Sequence, residues 1–160
     1  MSTFTHLDAS GHARMVDVTQ KQPTVRAATA RGFVRAAAST IAALRDGSVP
    51  KGDVLAVARV AGIQAVKRTP ELLPLAHVIG VHGASVDLRV DDDGVFIEAT
   101  CRTADRTGVE MEAITAVTVA ALAVLDMVKG IDRTALIESA RIVKKTGGRS
   151  GDWVRDGEGF

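Results

Sequence analysis

Residues 107 to 130 read TGVEMEAITAVTVAALAVLDMVKG, and this segment contains the longest apolar run of the chain. Between Glu112 and Asp126 it is apolar nearly all round, which predicts a long helix, from about Val109 to Lys129, that other elements cover on most sides. Ionisable groups stand at both ends of this helix. A charge at the edge of a buried element costs free energy unless a side chain, a backbone amide or a ligand meets it. The two ends are therefore the first candidates for a functional site.

A second apolar helix is predicted in PKGDVLAVARVAGIQAVKRTP. Asp53 can cap a helix that runs to Lys67, and Pro70 marks its end. A shorter helix is predicted in STIAALRDG, with Ser39 as its N-cap and Gly47 just past its end. One domain of 160 residues can hardly bury two long apolar helices alone, so we expect an oligomer.

Alternation of apolar and polar residues predicts a β-hairpin over residues 85 to 102, SVDLRVDDDGVFIEATCR. Every second residue of each half is apolar, and DDDG forms the turn. Shorter strands are predicted for MVDVT, residues 15 to 19, and for about Leu136 to Lys144. The periodicity of TVRAATARGFVRA is ambiguous. Two long helices against an antiparallel sheet predict an α+β sandwich.

Composition limits the function. The length of 160 residues predicts a single domain over residues 15 to 150, with mobile tails at 1 to 14 and 151 to 160. The net charge is +1. The balanced charge and an aromatic content of 3% argue against a nucleic-acid partner. The longest apolar run, about residues 113 to 125, is shorter than the roughly 20 residues of a membrane span. With a lone cysteine and no apolar leader, these features predict a cytoplasmic protein without a membrane partner.

Asp126 and Lys129 lie three positions apart, which is close enough to interact on a helix. They can form a surface ion pair at the helix end, or the carboxylate can hold a lysine that transfers protons. Glu112 and Asp126 are separated by about 21 Å along the axis, because each residue of a helix rises 1.5 Å. These two carboxylates therefore do not form an acid and base pair within one helix.

Lysines also stand at the ends of other elements. Lys51 precedes the second helix, Lys67 closes it, and Lys145 belongs to the glycine-rich KKTGGRSG near the C-terminus. Lysine beside glycine suits phosphate binding, but solvated helix ends and a flexible basic tail leave the same pattern. No GxxxxGK[ST] motif is present, and His77 and His82 do not form HExxH. The residues thus predict no metal site and leave phosphate binding open.

Taken together, four motifs are more specific than any one of them. MVDVT, PKGDVLAVARVAGIQAVKRTPELLPLAH, TGVEMEAITAVTVAALAVLDMVKG and KKTGGRSG resemble, in order and spacing, the MoaC family of molybdenum cofactor biosynthesis. The resemblance covers about residues 5 to 151. It implies a ferredoxin-like α+β subunit that assembles as a homohexamer, a trimer of dimers, with active sites at the dimer interface. It also implies a lyase that converts 3′,8-cyclo-7,8-dihydroguanosine 5′-triphosphate into cyclic pyranopterin monophosphate and diphosphate.

The resemblance carries roles onto individual residues. Lys51 in PKGDV, with Asp126 and Lys129 in DMVKG, match the residues regarded as catalytic in the family. The positions implied to contact substrate are Leu75, Ala76, His77, Glu110, Met111 and Glu112, with Lys67 and Lys145 as further members of an anion pocket. Lysines can move protons on and off the purine as it is rebuilt, and can stabilise the departing diphosphate. This chemistry requires no metal or redox cofactor, although Mg²⁺ can accompany the triphosphate.

One segment departs from the family pattern. Where the family usually reads LCHPLPLTG, this chain reads LAHVIGVHG, with Ala76 in place of cysteine and Val78 in place of proline. The change affects the expected shape of the pocket rim more than the proton-transfer residues. The alternative it raises is a divergent hexameric paralogue that binds a nucleotide or pterin with little or no turnover.

Overall fold

A five-stranded antiparallel sheet with helices packed on one face forms the core of the computed structural model, which describes residues 6 to 159. The sheet order is β2-β3-β1-β4-β5. The elements in chain order are β1 (Thr24–Arg35), α1 (Ala38–Asp46), α2 (Val54–Val66), α3 (Thr69–Leu72), β2 (Val81–Val90), β3 (Gly94–Asp105), α4 (Glu110–Val128), β4 (Leu136–Thr146) and β5 (Trp153–Val154). The first four strands and the helices between them give the ferredoxin-like arrangement, so the α+β prediction is confirmed.

Helix α4 is the predicted long helix, to within one residue at each end. Its inner residues, such as Ala113, Val117 and Val128, are fully buried against the sheet and α2. By length and composition α4 is apolar enough to cross a membrane, and the core helix of a globular fold passes the same test. Its burial against β1, β3 and β4 explains its apolar character in this fold.

Small residues let the layers of the core approach closely. A Cβ added at Gly62 of α2 would lie 3.0 Å from the Ala116 carbonyl oxygen of α4, and one added at Gly32 of β1 would lie 2.5 Å from Val117 Cγ1. Both glycines therefore allow contacts that a larger residue would prevent without movement of its neighbours. This close packing sets where each end of α4 stands relative to α2 and the sheet.

The hairpin and the second helix are confirmed. In β3, Val95, Ile97 and the alternate residues after them are buried, as the period of two predicts. Asp53 accepts a hydrogen bond from the Ala56 amide at 3.0 Å and caps α2, whose C-cap is Lys67. The ambiguous segment at residues 24 to 36 forms the central strand β1, and β4 continues two residues past the predicted Lys144.

Two local predictions are wrong. Residues 15 to 19 form no strand; they run along a cavity, where the Val16 carbonyl accepts a hydrogen bond from His77. The N-cap of α1 is Ala37 rather than Ser39. The Asp132 carboxylate, distant in sequence, accepts from the Ala37 amide at 2.8 Å and replaces a local cap. Sequence patterns near α1 could not show a partner that the fold brings from elsewhere.

The chain ends differ in how much of them the structure describes. Of the predicted tails, residues 1 to 5 and 160 lie outside the described residues. Leu7 and Ala13 form an isolated bridge. At the other end, Trp153–Val154 pairs with β4 as the edge strand β5. Whether either tail is mobile stays a prediction, but the C-terminal residues make ordered contacts with the sheet.

Candidate active site

Three predicted catalytic residues meet at the C-terminal end of α4. The ammonium of Lys51 donates to Asp126 Oδ2 at 2.9 Å, and the ammonium of Lys129 lies 2.7 Å from Asp126 Oδ1. Hydrogen bonds from Lys129 and Lys51 lower the pKa of Asp126 to about 2. The carboxylate is therefore ionised at neutral pH, and it is paired with both lysines.

The positions of these residues follow from local structure. Lys129 stands three residues after Asp126, on the same side of the helix. Lys51 lies beside Asp126 because it directly precedes α2, which begins at Val54 and runs antiparallel to α4. Its ammonium also donates to the Asp126 carbonyl at 2.7 Å. That carbonyl lies in the last turn of α4, where a helix leaves oxygens without intrahelical partners.

We call Lys51, Asp126 and Lys129 the lysine cluster. The side chains are 44%, 56% and 65% exposed, and Asp126 and Lys129 lie on an open surface that Leu122 and Arg133 also line. Two ammonium groups beside one carboxylate leave a net positive charge. The cluster can therefore attract phosphate oxygens and supply donors to them.

A cavity of about 400 Å³ lies at the opposite end of α4. Six predicted substrate-contacting residues line it: Leu75, Ala76, His77, Glu110, Met111 and Glu112. We call it the His77 cavity. The structure adds residues that sequence reasoning missed: Val16, Val18, Lys21, Ile79 and Thr107. The MVDVT motif was a signal for Val16 and Val18, but its reading as a strand hid their place in a cavity wall.

Glu112 is the least solvated carboxyl group of the His77 cavity, with 3% of the residue exposed. Burial raises its pKa, and the nearby Glu110 carboxylate adds to this effect, while His77 opposes it. The imidazole Nε2 of His77 donates to the Val16 carbonyl at 2.6 Å, because a carbonyl can only accept. This hydrogen bond fixes the orientation of the His77 ring.

Cys101 lies near enough to Glu112 for the carboxylate charge to act on its thiol. It is fully buried in β3, and burial together with the Glu112 charge raises the pKa of the thiol to about 12. A thiol that stays protonated is a poor nucleophile. Its burial and its raised pKa both favour a structural role for Cys101.

Two further lysines lie at the His77 end of α4. Ala28 of β1 is the register partner of Lys145 on one side and of Cys101 on the other. Cys101 is close enough to Glu112 for the carboxylate charge to raise the pKa of its thiol. Strands are about 4.8 Å apart, which puts the Lys145 backbone roughly 10 Å from that of Cys101. Lys67 ends α2, which runs antiparallel to α4. Neither lysine lines the His77 cavity or the surface around the lysine cluster.

Nine of the eleven predicted site residues therefore form two groups, and Lys67 and Lys145 belong to neither. Fourteen helical residues separate Glu112 from Asp126, a distance of about 21 Å along α4. The lysine cluster has the cations for an anionic group, and the His77 cavity has the volume and the polar groups for a ring. Within residues 6 to 159, no three His, Cys, Asp or Glu side chains are grouped as metal ligands are.

The chain is thus a ferredoxin-like α+β domain that carries lysines at one end of its core helix and a polar cavity at the other. The sequence profile described as the MoaC family matches residues 15 to 148. This chain belongs to the MoaC family.

Three relatives show the extent of the similarity, and each is named cyclic pyranopterin monophosphate synthase. The protein of Streptomyces coelicolor is 58% identical over 152 residues, covering 95% of this chain and 89% of its own. That of Chloroflexus aurantiacus is 56% identical, covering 95% and 94%. That of Corynebacterium efficiens is 53% identical, covering 96% and 99%. The similarity therefore extends over nearly the whole length of each chain.

Proposed function

We propose that this protein is a lyase that converts (8S)-3′,8-cyclo-7,8-dihydroguanosine 5′-triphosphate into cyclic pyranopterin monophosphate and diphosphate. The observation that carries the proposal is the lysine cluster, in which two elements distant in sequence place Lys51 and Lys129 on one carboxylate. The names of the relatives point to the same reaction.

Each group has a role that fits its geometry. Lys51 and Lys129 share the proton transfers to and from nitrogen and oxygen as the purine ring opens and the pterin ring closes. Asp126 orients the two ammonium groups. The cations also stabilise the charge that develops on diphosphate as it leaves. These roles require no metal or redox cofactor, and Mg²⁺ can accompany the triphosphate as part of the substrate.

The His77 cavity would hold the purine or pterin ring. Glu112 and His77 offer acceptors and donors for ring nitrogens, and Leu75 and Met111 cover the ring faces. Lys67 and Lys145 would extend the anion pocket from this end. This division assigns ring recognition to one end of α4 and proton transfer to the other.

One substrate can use both ends only if they come from different chains. Glu112 and Asp126 are separated by roughly 21 Å along α4. A single small ligand cannot span this distance while it reacts at both ends. A neighbouring chain that places its lysine cluster against the His77 cavity removes this difficulty. The exposed apolar side chains Val60, Leu122 and Ile131 are consistent with such contacts. We therefore propose that each site is shared between two chains of a dimer, and that three dimers form a homohexamer. We further propose that the protein acts in the cytoplasm without a nucleic-acid or membrane partner.

Turnover of the purified protein on the cyclised GTP derivative tests the proposal. Cyclic pyranopterin monophosphate and diphosphate should appear in equal amounts, measured by chromatography and by a diphosphate assay. Binding of the substrate by an intact oligomer without either product would overturn the proposal and identify a binding protein instead.

A further inference from the structure

The last residues of the chain fold back onto the sheet. Trp153 and Val154 pair with Lys145 and Lys144 of β4. The Arg155 amide donates to the Val143 carbonyl at 2.8 Å, and its guanidinium donates to the Ile142 carbonyl at 2.7 Å. These bonds hold residues 152 to 159, which we call the C-terminal strap, along the outer edge of β4.

A pair of arginines fastens the far end of the strap. Arg31 of β1 and Arg141 of β4 are register partners, and their side chains lie on the sheet face opposite the helices. Both donate to the Glu158 carboxylate, with Arg31 Nη1 at 2.8 Å. Arg31 Nη1 also donates to the Gly159 carbonyl at 3.2 Å, and its Nε donates to Glu98 at 2.7 Å.

This arrangement is better shielded than an ordinary surface ion pair. The side chains of Glu158 and Arg31 are only 11% and 16% exposed. Hydrogen bonds from Arg31 and Arg141 lower the pKa of Glu158, so it stays charged in its place. A shielded carboxylate that meets two guanidinium groups is more strongly held than an exposed pair, which contributes little.

The other end of the strap closes the glycine-rich turn that follows Lys145. The Gly147 amide donates to Asp152 Oδ1 at 2.9 Å, and the Lys145 ammonium donates to the Ser150 hydroxyl. Gly147, Gly148 and Gly151 have φ angles of 79°, 78° and 68°. A turn with three such glycines is costly to order, because glycine has many alternative conformations in a loose chain. The turn therefore depends on the strap to stay closed.

We propose that the C-terminal strap positions Lys145 for anion binding, and that Glu158 is a positioning residue that acts through Arg31 and Arg141. The inference deepens the proposed function, on which the role of Lys145 rests. Release of the strap opens the turn and frees the Lys145 ammonium from Ser150. The anion pocket then loses a fixed cation although no residue in contact with the ligand has changed.

The test compares Glu158→Gln with Glu138→Gln in the full-length chain. Glu138 is a control, because it pairs at 2.7 Å with Arg35, which lies in β1 as Arg31 does, and its hydrogen bonds and ion pair within the described residues go to Arg35 rather than to the strap. Trp153, the protein's single tryptophan, reports on the strap by its fluorescence. Glu158→Gln should shift the emission towards that of a solvated indole and weaken diphosphate binding, measured by calorimetry, about tenfold. Glu138→Gln should change neither, and kcat on the cyclised GTP derivative should change far less than KM for Glu158→Gln.

A double-mutant comparison separates positioning from general stability. Lys145→Ala should weaken diphosphate binding, and adding Glu158→Gln to it should cause no further loss, because both act through the same ammonium. Additive losses would overturn the inference, and so would an emission shift without any change in binding, which would mean that the strap only covers the edge of β4. Diphosphate binding with the expected pattern but no turnover by the wild-type chain would refute the proposed function while leaving the strap in place.

Discussion

The two ends of α4 carry carboxyl groups in opposite physical states. At the start of the helix, burial raises the pKa of Glu112. At its end, hydrogen bonds from two lysines lower the pKa of Asp126 to about 2, although the side chain is more than half exposed. The comparison teaches that the surroundings of a carboxyl group decide its protonation more than its residue type does.

The same comparison divides the proposed chemistry. The end with Asp126 concentrates charge on an open surface, which suits a phosphate group and proton transfer. The end with Glu112 encloses polar groups in a cavity, which suits recognition of a ring. Substitutions at each end of α4 should therefore have different effects on activity and stability.

Loss of either lysine of the cluster should cause the largest effect. Lys51→Ala and Lys129→Ala should each reduce kcat by about 10³-fold or more, because each removes a proton-transfer group. Arg45→Ala is a suitable control, since it removes a comparable exposed cation that pairs with Asp92 at 2.8 Å. Size-exclusion chromatography should show unchanged assembly for all three variants. Near-normal turnover of either lysine variant would remove the lysine cluster from the mechanism.

Mixing of inactive chains tests whether the two ends of α4 serve one site. A chain with Lys129→Ala and a chain with His77→Ala should each be inactive alone. After subunit exchange in equal amounts, about a quarter of the sites should contain both intact ends, and activity should return in proportion. If exchange is verified by mass spectrometry and no activity returns, the shared-site proposal is wrong.

Removal of the charge on Asp126 should have an intermediate effect. Asp126→Asn takes away the shared partner of both lysines, so kcat should fall about 100-fold as the ammonium groups lose their orientation. The melting temperature should change little, because the ion pairs are exposed. A large loss of stability with normal kcat would show that the cluster holds the fold rather than the reaction.

Glu112→Gln should reduce activity by about tenfold but leave the protein at least as stable as wild type at pH 7.5. Because burial raises the pKa of Glu112 above its ordinary 4.5, the folded protein holds this proton more tightly than the unfolded chain. This group therefore costs stability as the pH rises from the unfolded towards the folded pKa and beyond. Urea unfolding at pH 7.5 should show the variant to be at least as stable as wild type. A marked destabilisation at that pH would contradict the assignment.

The altered rim of the His77 cavity should matter least. Ala76 lies in the cavity wall, whereas Val78 is 88% exposed. Restoring the usual residues with Ala76→Cys and Val78→Pro should change kcat/KM by no more than about threefold, as expected of changes that create no unpaired polar group. A gain of 100-fold or more in a steady-state assay would instead favour the impaired paralogue.

Much of the fold could be read from the sequence where one residue pattern suffices. The period of two in β3 and the Asp53 cap of α2 depend on neighbours along the chain, and both were predicted. The strand β1 was ambiguous because Ala28, Ala30 and Gly32, which face the helices, are small and differ little in hydrophobicity from their neighbours, so the alternation of buried residues is weak in the sequence. Ser39 was wrongly chosen as a cap, because the real partner of α1 is Asp132, more than ninety residues later.

In the candidate site, too, contacts between residues close in sequence were predictable, whereas contacts between distant residues were not predictable from local patterns. The spacing of Asp126 and Lys129 predicted their contact, and the family resemblance placed Lys51 with them. The resemblance also named six residues that line the His77 cavity. It gave no indication of Lys21 in that wall, or of the bonds that fasten Glu158 to Arg31 and Arg141.

The core helix, the hairpin, the second helix and its cap are encoded locally, because each depends on periodicity or on a contact within one turn. The contact of Lys51 with Asp126, the burial of Glu112 and the return of the C-terminus to the sheet arise only from tertiary packing. These features depend on the packing of α2 against α4 and on strand register, which bring together residues far apart in the chain. The pKa of a carboxyl group belongs to this second kind, since burial and partners, rather than local sequence, set its value.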